Sequence, residues 1–75
     1  MNAGDAILSK LRYVFGPEEG DRLFQHTIRQ LGLPHLRNED DELAFGQLLV
    51  PQGGLLSVIG RTIISHALLR GATPR

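Results

Sequence analysis

Three histidines are the side chains of this sequence best suited to binding a metal ion or transferring protons at neutral pH. They are His26, His35 and His66, and no two of them are three or four residues apart. A single helix therefore cannot bring two of them together, and ligand geometry would depend on tertiary contacts alone. The chain has no cysteine, which removes the thiolates that most structural zinc sites use. The sequence predicts no metal site and no cofactor.

Four consecutive acids, Glu39, Asp40, Asp41 and Glu42, form a second cluster that could bind a cation. Calcium-binding loops alternate ligands with other residues, contain a central glycine and end on a bidentate glutamate, and this run has none of these features. Acids in the first turn of a helix interact favourably with its dipole, and Asn38 immediately before them is a strong N-cap. We interpret the run as the start of a helix.

Two glycines, Gly53 and Gly54, precede another predicted helix, whose free N-terminal amides could bind an anion. A phosphate-binding loop continues with a lysine and a hydroxyl residue, whereas here Leu55 and Leu56 follow. Ser57 does not lie in a nucleophile-elbow pattern, and no base can be assigned to it. We interpret the glycines as a turn and predict that the chain is not an enzyme.

Four amphipathic segments separated by glycine and proline must position these residues, and they predict an all-α fold. The first helix follows Asn2 or Asp5 and ends at Gly16, and Gly32 ends the second. Pro51 ends the third. We expect one compact four-helix domain over residues 1–75, with helices three and four central and a frayed C-terminal tail. The expected ranges are 5–15, 17–31, 38–50 and 54–70 for the helices and 71–75 for the tail.

The charges are divided between the two halves of the chain. Residues 1–42 contain all eight acids and five of the eight Lys/Arg, whereas residues 43–75 contain only arginines, although the formal net charge is zero. No stretch is basic enough to indicate nucleic-acid binding. The longest charge-free run is broken by Pro51 and the glycines after it, so we expect no membrane span. The lack of cysteine and of a basic signal-like N-terminus predicts a soluble, cytoplasmic protein.

The second half also has more apolar surface than a bundle of this size can easily bury. Nine of the fifteen residues from Leu55 to Leu69 are apolar. Helix four has one polar stripe, formed by Ser57, Arg61 and Ser65. Two large apolar residues, Ile64 and Leu68, lie on or beside this stripe. We predict an interface on helices three and four that comprises Phe45, Leu49, Arg61, Ile64, His66 and Leu68. In a single chain, Ile64, Leu68 and one of Phe45 or Leu49 should be exposed.

Gly60 gives a second reason to expect close packing around helix four. A glycine in the middle of a helix is less favourable than alanine by about 1 kcal/mol. We expect a close helix crossing there, within one chain or across a dimer. His66 is the residue of this helix that could make an interface sensitive to pH.

These observations predict a non-catalytic protein–protein interaction module. We expect it to self-associate, as a homodimer, or to act as a small adaptor or regulator bound to a larger protein. The alternative is a small nucleic-acid- or anion-binding regulator, in which Arg61, Arg70 and Arg75 should cluster on one face. Four short helices occur in many unrelated proteins, so the fold pattern alone indicates no function.

Overall fold

Four α-helices and one 3₁₀ turn make up the regular structure of this chain. The structure is a computed structural model that describes residues 3–73. The helices are α1, Ala3–Phe15; α2, Pro17–Leu31; α3, Glu39–Leu49; and α4, Gly54–Leu69; the 3₁₀ turn, Val50–Gln52, lies between α3 and α4. No strand occurs between residues 3 and 73. The prediction of an all-α, four-helix fold is confirmed. No helix in this range combines the length and apolarity needed to cross a bilayer.

The helix ends follow from local signals in the sequence. The Oδ1 atom of Asn38 accepts a hydrogen bond from the backbone N–H of Asp41 at 3.0 Å, which is the N-cap predicted for α3. Gly32 ends α2 in the left-handed conformation, with φ of 71°. The N–H of Leu33 then donates to the carbonyl of Ile28 at 3.3 Å, as in a Schellman motif.

The start of α1 differs from the prediction. The helix begins at Ala3, so Asp5 lies inside it and cannot be its N-cap. Asp5 instead places a negative charge in the first turn, where the helix dipole favours it. The other proposed cap, Asn2, lies outside the described residues.

Contacts between the helices divide the described residues into two units, one that ends at Arg37 and one that begins at Asn38. The prediction of one domain over residues 1–75 stays a prediction. In the first unit, α1 and α2 pack closely at Gly20. A Cβ atom added to Gly20 would lie 2.6 Å from both the N and the Cα of Arg12. Glycine at this position therefore sets the spacing of the two helices.

In the second unit, α3 and α4 cross at a pair of glycines, Gly46 and Gly60. A Cβ atom added to either glycine would lie 2.8 Å from the carbonyl oxygen of the other. The close crossing predicted from Gly60 is confirmed, and it lies within one chain. The buried apolar side chains of this unit are Leu43, Phe45, Leu49, Ile59, Ile63, Ala67 and Ala72.

The C-terminal end of α4 is bound to the acidic first turn of α3. The backbone N–H of Thr73 donates to Oδ1 of Asp40 at 2.8 Å, and Arg70 donates to the carboxylate of Glu42. Ala72 between them is buried. Residues 71–73, which belong to the predicted frayed tail, are thus held by the burial of Ala72 and by the contact of Thr73 with Asp40, and fraying of the tail stays a prediction. Residues 74 and 75 lie outside the described part of the chain.

Candidate functional site

An exposed apolar face lies along α4. Leu55, Val58 and Leu69 are 60%, 61% and 84% exposed. At about 100° per residue, these three side chains project within an arc of about 60°. Ile59, Ile63 and Ala67 lie on a different side of the same helix and are buried. Helix α4 is therefore apolar on two sides, of which one is covered and the other is open.

The spacing along the open side is that of a coiled-coil interface. Leu55, Val58, Thr62, Ser65 and Leu69 follow one another at intervals of three, four, three and four residues, as the a and d positions of two heptads do. We call these five residues the α4 seam. Leu55, Thr62 and Leu69 occupy a positions, and Val58 and Ser65 occupy d positions.

The middle of the α4 seam is formed by two small polar residues, Thr62 and Ser65. The hydroxyl group of Thr62 donates to the carbonyl of Val58 at 3.1 Å, within the helix itself. This hydrogen bond satisfies the hydroxyl and leaves the methyl group of Thr62 as the free branch of the side chain. The side chains in the middle of the seam therefore project little from α4, and those at its two ends are large and apolar. A second helix can pack onto such a surface.

The charges beside the α4 seam are all positive or neutral. In the heptad numbering Arg61 is a g residue and His66 an e residue, and both are exposed. The other two flanking positions hold apolar residues, Ile59 and Leu68. Arg61 forms no ion pair with any residue between 3 and 73. Because α4 contains no acid, the charge of Arg61 is available to a partner.

The six predicted interface residues are divided between the surface and the interior. Arg61 and His66 are exposed, and Leu68 is 41% exposed. Ile64 is half-buried and packs against the apolar cluster of Leu43, Ala67 and Ala72.

The prediction that Phe45 or Leu49 is exposed in a single chain is wrong. Both side chains have 0% exposure. Leu49 lies directly against the crossing, since its Cβ is 3.0 Å from the position of a Cβ on Gly60. Close approach of the two helices at the glycines thus buries Leu49. Phe45 and Leu49 are core residues of the chain and not part of an open surface.

Sequence reasoning assigned none of the five residues of the α4 seam to the predicted interface, although Leu55, Val58 and Leu69 are large and exposed. It took the stripe of Ser57, Arg61 and Ser65 as the polar side of α4 and expected exposed apolar residues of this helix only on or beside that stripe. The open side is centred closer to Val58 and Leu69. The three-four spacing from Leu55 to Leu69 was the signal that could have identified them.

Glu42 is a buried carboxylate at the other end of the second unit. Its side chain is only 4% exposed, and burial raises the pKa of its carboxyl above the ordinary value for glutamate. Arg70 lowers this pKa by charge and by a hydrogen bond, Glu39 raises it, and His66 lowers it. The net direction is upward because removal of water is the largest of these effects.

The arginine cluster expected for a nucleic-acid-binding regulator does not form in residues 3–73. Arg70 is paired with Glu42. Arg61 precedes it by nine residues and so projects from the opposite side of α4, about 180° away. Arg75, the third expected member, lies outside the described residues. The charge of α4 that is open to a ligand is therefore a single guanidinium with a nearby histidine.

Two surface cavities lie elsewhere on the described part of the chain. One of about 90 Å³ lies beside the Asp40–Thr73 contact. The other, of about 420 Å³, lies next to the N-terminus of α2 and includes Glu18 and Glu19 in its wall. These two acids already occupy the first turn of α2, where they would repel an anion. Within residues 3–73 no group of three or more His, Asp or Glu side chains lies together in a way that could hold a metal ion.

No protein-family model, no curated protein and no solved structure matches this chain. Among the surfaces of the described residues, the α4 seam is the most distinctive.

Proposed function

We propose that this chain is a non-catalytic protein-interaction module that binds through the exposed side of α4, either to itself or to a larger protein. The observation that supports the proposal is the α4 seam, in which Leu55, Val58 and Leu69 are each at least 60% exposed. Fully burying a leucine or valine side chain stabilises a protein by about 1.5–3 kcal/mol. Aligned apolar residues that are left open, with polar neighbours, are typical of binding surfaces.

Two acids of the second unit support binding over catalysis, because they have structural partners. Asp40 accepts a hydrogen bond from Thr73, and Glu42 is paired with Arg70. A general acid or base needs an atom open to a substrate. The absence of cysteine from the sequence supports the cytoplasm as the place where this module acts.

Two charge substitutions in the α4 seam test the proposal, Val58→Asp and Leu69→Asp. Both side chains are exposed, so aspartate at either position should leave the helices folded, as circular dichroism would show. Gln25→Asp is the matched control, because it adds the same charge at an exposed position of α2. Self-association would be followed by light scattering between about 10 and 200 μM. Binding to other proteins would be followed by affinity capture from a cell extract.

Support for the proposal is an assembly or a captured protein that both seam variants lose and the control retains. The proposal is overturned if the wild-type chain stays monomeric over this range and captures nothing that the seam variants fail to capture.

A further inference from the structure

We infer that the α4 seam binds an amphipathic helix of another protein, one whose apolar stripe is flanked by carboxylates, and not a second copy of this chain. The inference rests on the proposed function, because it specifies the partner of the same surface. It follows from the spacing of the seam, the charges beside it and its length.

The charges beside the seam indicate an acidic partner. In paired helices the e and g residues of one helix face those of the other, and opposite charges at these positions select the partner. Here these positions supply Arg61 and His66, and no acid occurs anywhere between residues 43 and 75. Arg61 has no ion pair in the described part of its own chain. Glutamate or aspartate beside the apolar stripe of a partner helix would provide one.

A second copy of α4 would present the wrong charges in either orientation. In an antiparallel pair the two-fold axis passes near the middle of Gly54–Leu69, which lies between Arg61 and Thr62. Arg61 would then face the same residue of the second copy. In a parallel pair a g residue faces an e residue five positions further on, so Arg61 would face His66. Neither arrangement brings a carboxylate to the guanidinium.

The exposed acids of α2 do not provide a substitute. Glu18, Glu19 and Asp21 are exposed on α2, together with Arg22 and Gln25. The exposed side of α2 is polar and has no apolar stripe that could pack on the seam. The α4 seam therefore matches neither a second α4 nor the exposed side of α2.

The length of the seam is that of a weak helix-binding site. Sixteen residues at 1.5 Å per residue give a helix about 24 Å long. A pair of helices of this length should bury less than the roughly 1,200 Å² of a stable protein complex. We expect a dissociation constant on the order of 10–100 μM for one bound helix, with much of the specificity coming from charge.

Two synthetic peptides test this inference directly. Each has three heptads with leucine at a and d, and they differ only in having glutamate or lysine at every e and g position. Binding of each labelled peptide to the full chain would be measured by fluorescence anisotropy. At about 50 mM salt the glutamate peptide should bind at least about tenfold more tightly, and this difference should shrink at about 500 mM salt because the charges are exposed.

Two variants of the chain separate charge from apolar contact. Arg61→Glu should abolish the preference for the glutamate peptide or reverse it, because it changes the flanking charge and leaves the seam intact. Val58→Asp should weaken the binding of both peptides by at least about tenfold. Gln25→Asp should change neither, and circular dichroism would verify that all three variants remain helical.

Several results would overturn the inference, and they differ in whether they support the proposed function. Equal binding of both peptides that is lost in Val58→Asp would refute the acidic partner while supporting the interaction surface. A dimer of the chain that Val58→Asp dissociates would do the same, because the occupant would be a second copy. Binding of neither peptide would refute the inference and leave the capture experiment to decide the proposed function. Tighter binding to vesicles of phosphatidylserine and phosphatidylcholine than to the glutamate peptide would show that the surface binds lipid.

Discussion

Where α3 and α4 cross, replacing Gly46 or Gly60 by alanine should have the opposite effect on stability from the same replacement in an open helix. In an open helix Gly→Ala is stabilising by about 1 kcal/mol. At Gly60 a new Cβ would lie 2.8 Å from the carbonyl oxygen of Gly46, 3.0 Å from Cβ of Leu49 and 3.1 Å from Cγ2 of Val50. The carbonyl oxygen belongs to a helix backbone and cannot rotate away. Helices α3 and α4 must therefore separate to admit the methyl group.

The magnitude follows from two opposing effects. Overpacking a close contact typically costs about 1–3 kcal/mol, and the gain in helix propensity offsets about 1 kcal/mol of it. Gly46→Ala and Gly60→Ala should each lower the free energy of unfolding by about 1 kcal/mol, within a range of roughly 0–2. In the double variant one separation of the helices accommodates both methyl groups. The double variant should therefore lose less stability than the sum of the single variants, by about 1 kcal/mol.

Urea denaturation followed by circular dichroism would measure these differences in the wild type, both single variants and the double variant. Gln47→Ala is the control, since it changes an exposed residue of α3 next to Gly46 and should alter stability by less than about 0.5 kcal/mol. If either single variant is more stable than the wild type by about 1 kcal/mol, or if the two effects simply add, the close crossing is refuted.

Two further predictions concern the first turn of α3. Asn38→Ala removes the acceptor for the N–H of Asp41 and should lower the free energy of unfolding by about 1 kcal/mol, whereas Asn38→Asp retains the cap and should lose much less; equal losses would contradict the capping role. Because the pKa of Glu42 is raised, the folded chain binds the proton of this carboxyl more tightly than the unfolded chain does. The stability that Glu42 contributes is therefore greatest below about pH 4. It falls as the pH rises through the folded pKa. Urea denaturation at about pH 4 and pH 7 should therefore show the wild type losing stability relative to Glu42→Gln as the pH rises; a relative gain would mean that the charge of Arg70 outweighs burial.

The helices themselves could be predicted because their signals are local. Asn38 before a run of acids, and Gly32 after a run of helical periodicity, specify a start and an end with no information from the rest of the chain. The close crossing was predictable for a related reason, since Gly60 is unfavourable in a helix unless another group needs the space.

The side of α4 that is covered could not be predicted from periodicity. This helix has two apolar arcs, and periodicity shows only which residues share an arc. The choice between the arcs depends on where α3 lies, which the contact of Gly46 with Gly60 determines. Burial of Leu49 depends on the same contact.

The polar contacts at the end of α4 were also beyond sequence reasoning. Asp40 contacts a residue 33 positions away, and Glu42 contacts one 28 positions away. The favourable interaction of these acids with the helix dipole was a sufficient reason for their position in the first turn of α3. The sequence therefore contained no signal that Asp40 and Glu42 also contact distant residues. Long-range pairs of this kind follow from the fold and not from spacing.

The contact between Asp40 and Thr73 brings together the two ends of the segment that comprises residues 38–73. The first turn of α3 and the residues after α4 are joined at 2.8 Å, so this segment starts and stops at adjacent points. Segments with adjacent ends can be inserted into a surface loop of a host protein without stretching that loop. The hairpin of α3 and α4 has the geometry of such a transplantable segment, and a graft of residues 38–73 would display the α4 seam on the host with both of its junctions at the far end from Leu55.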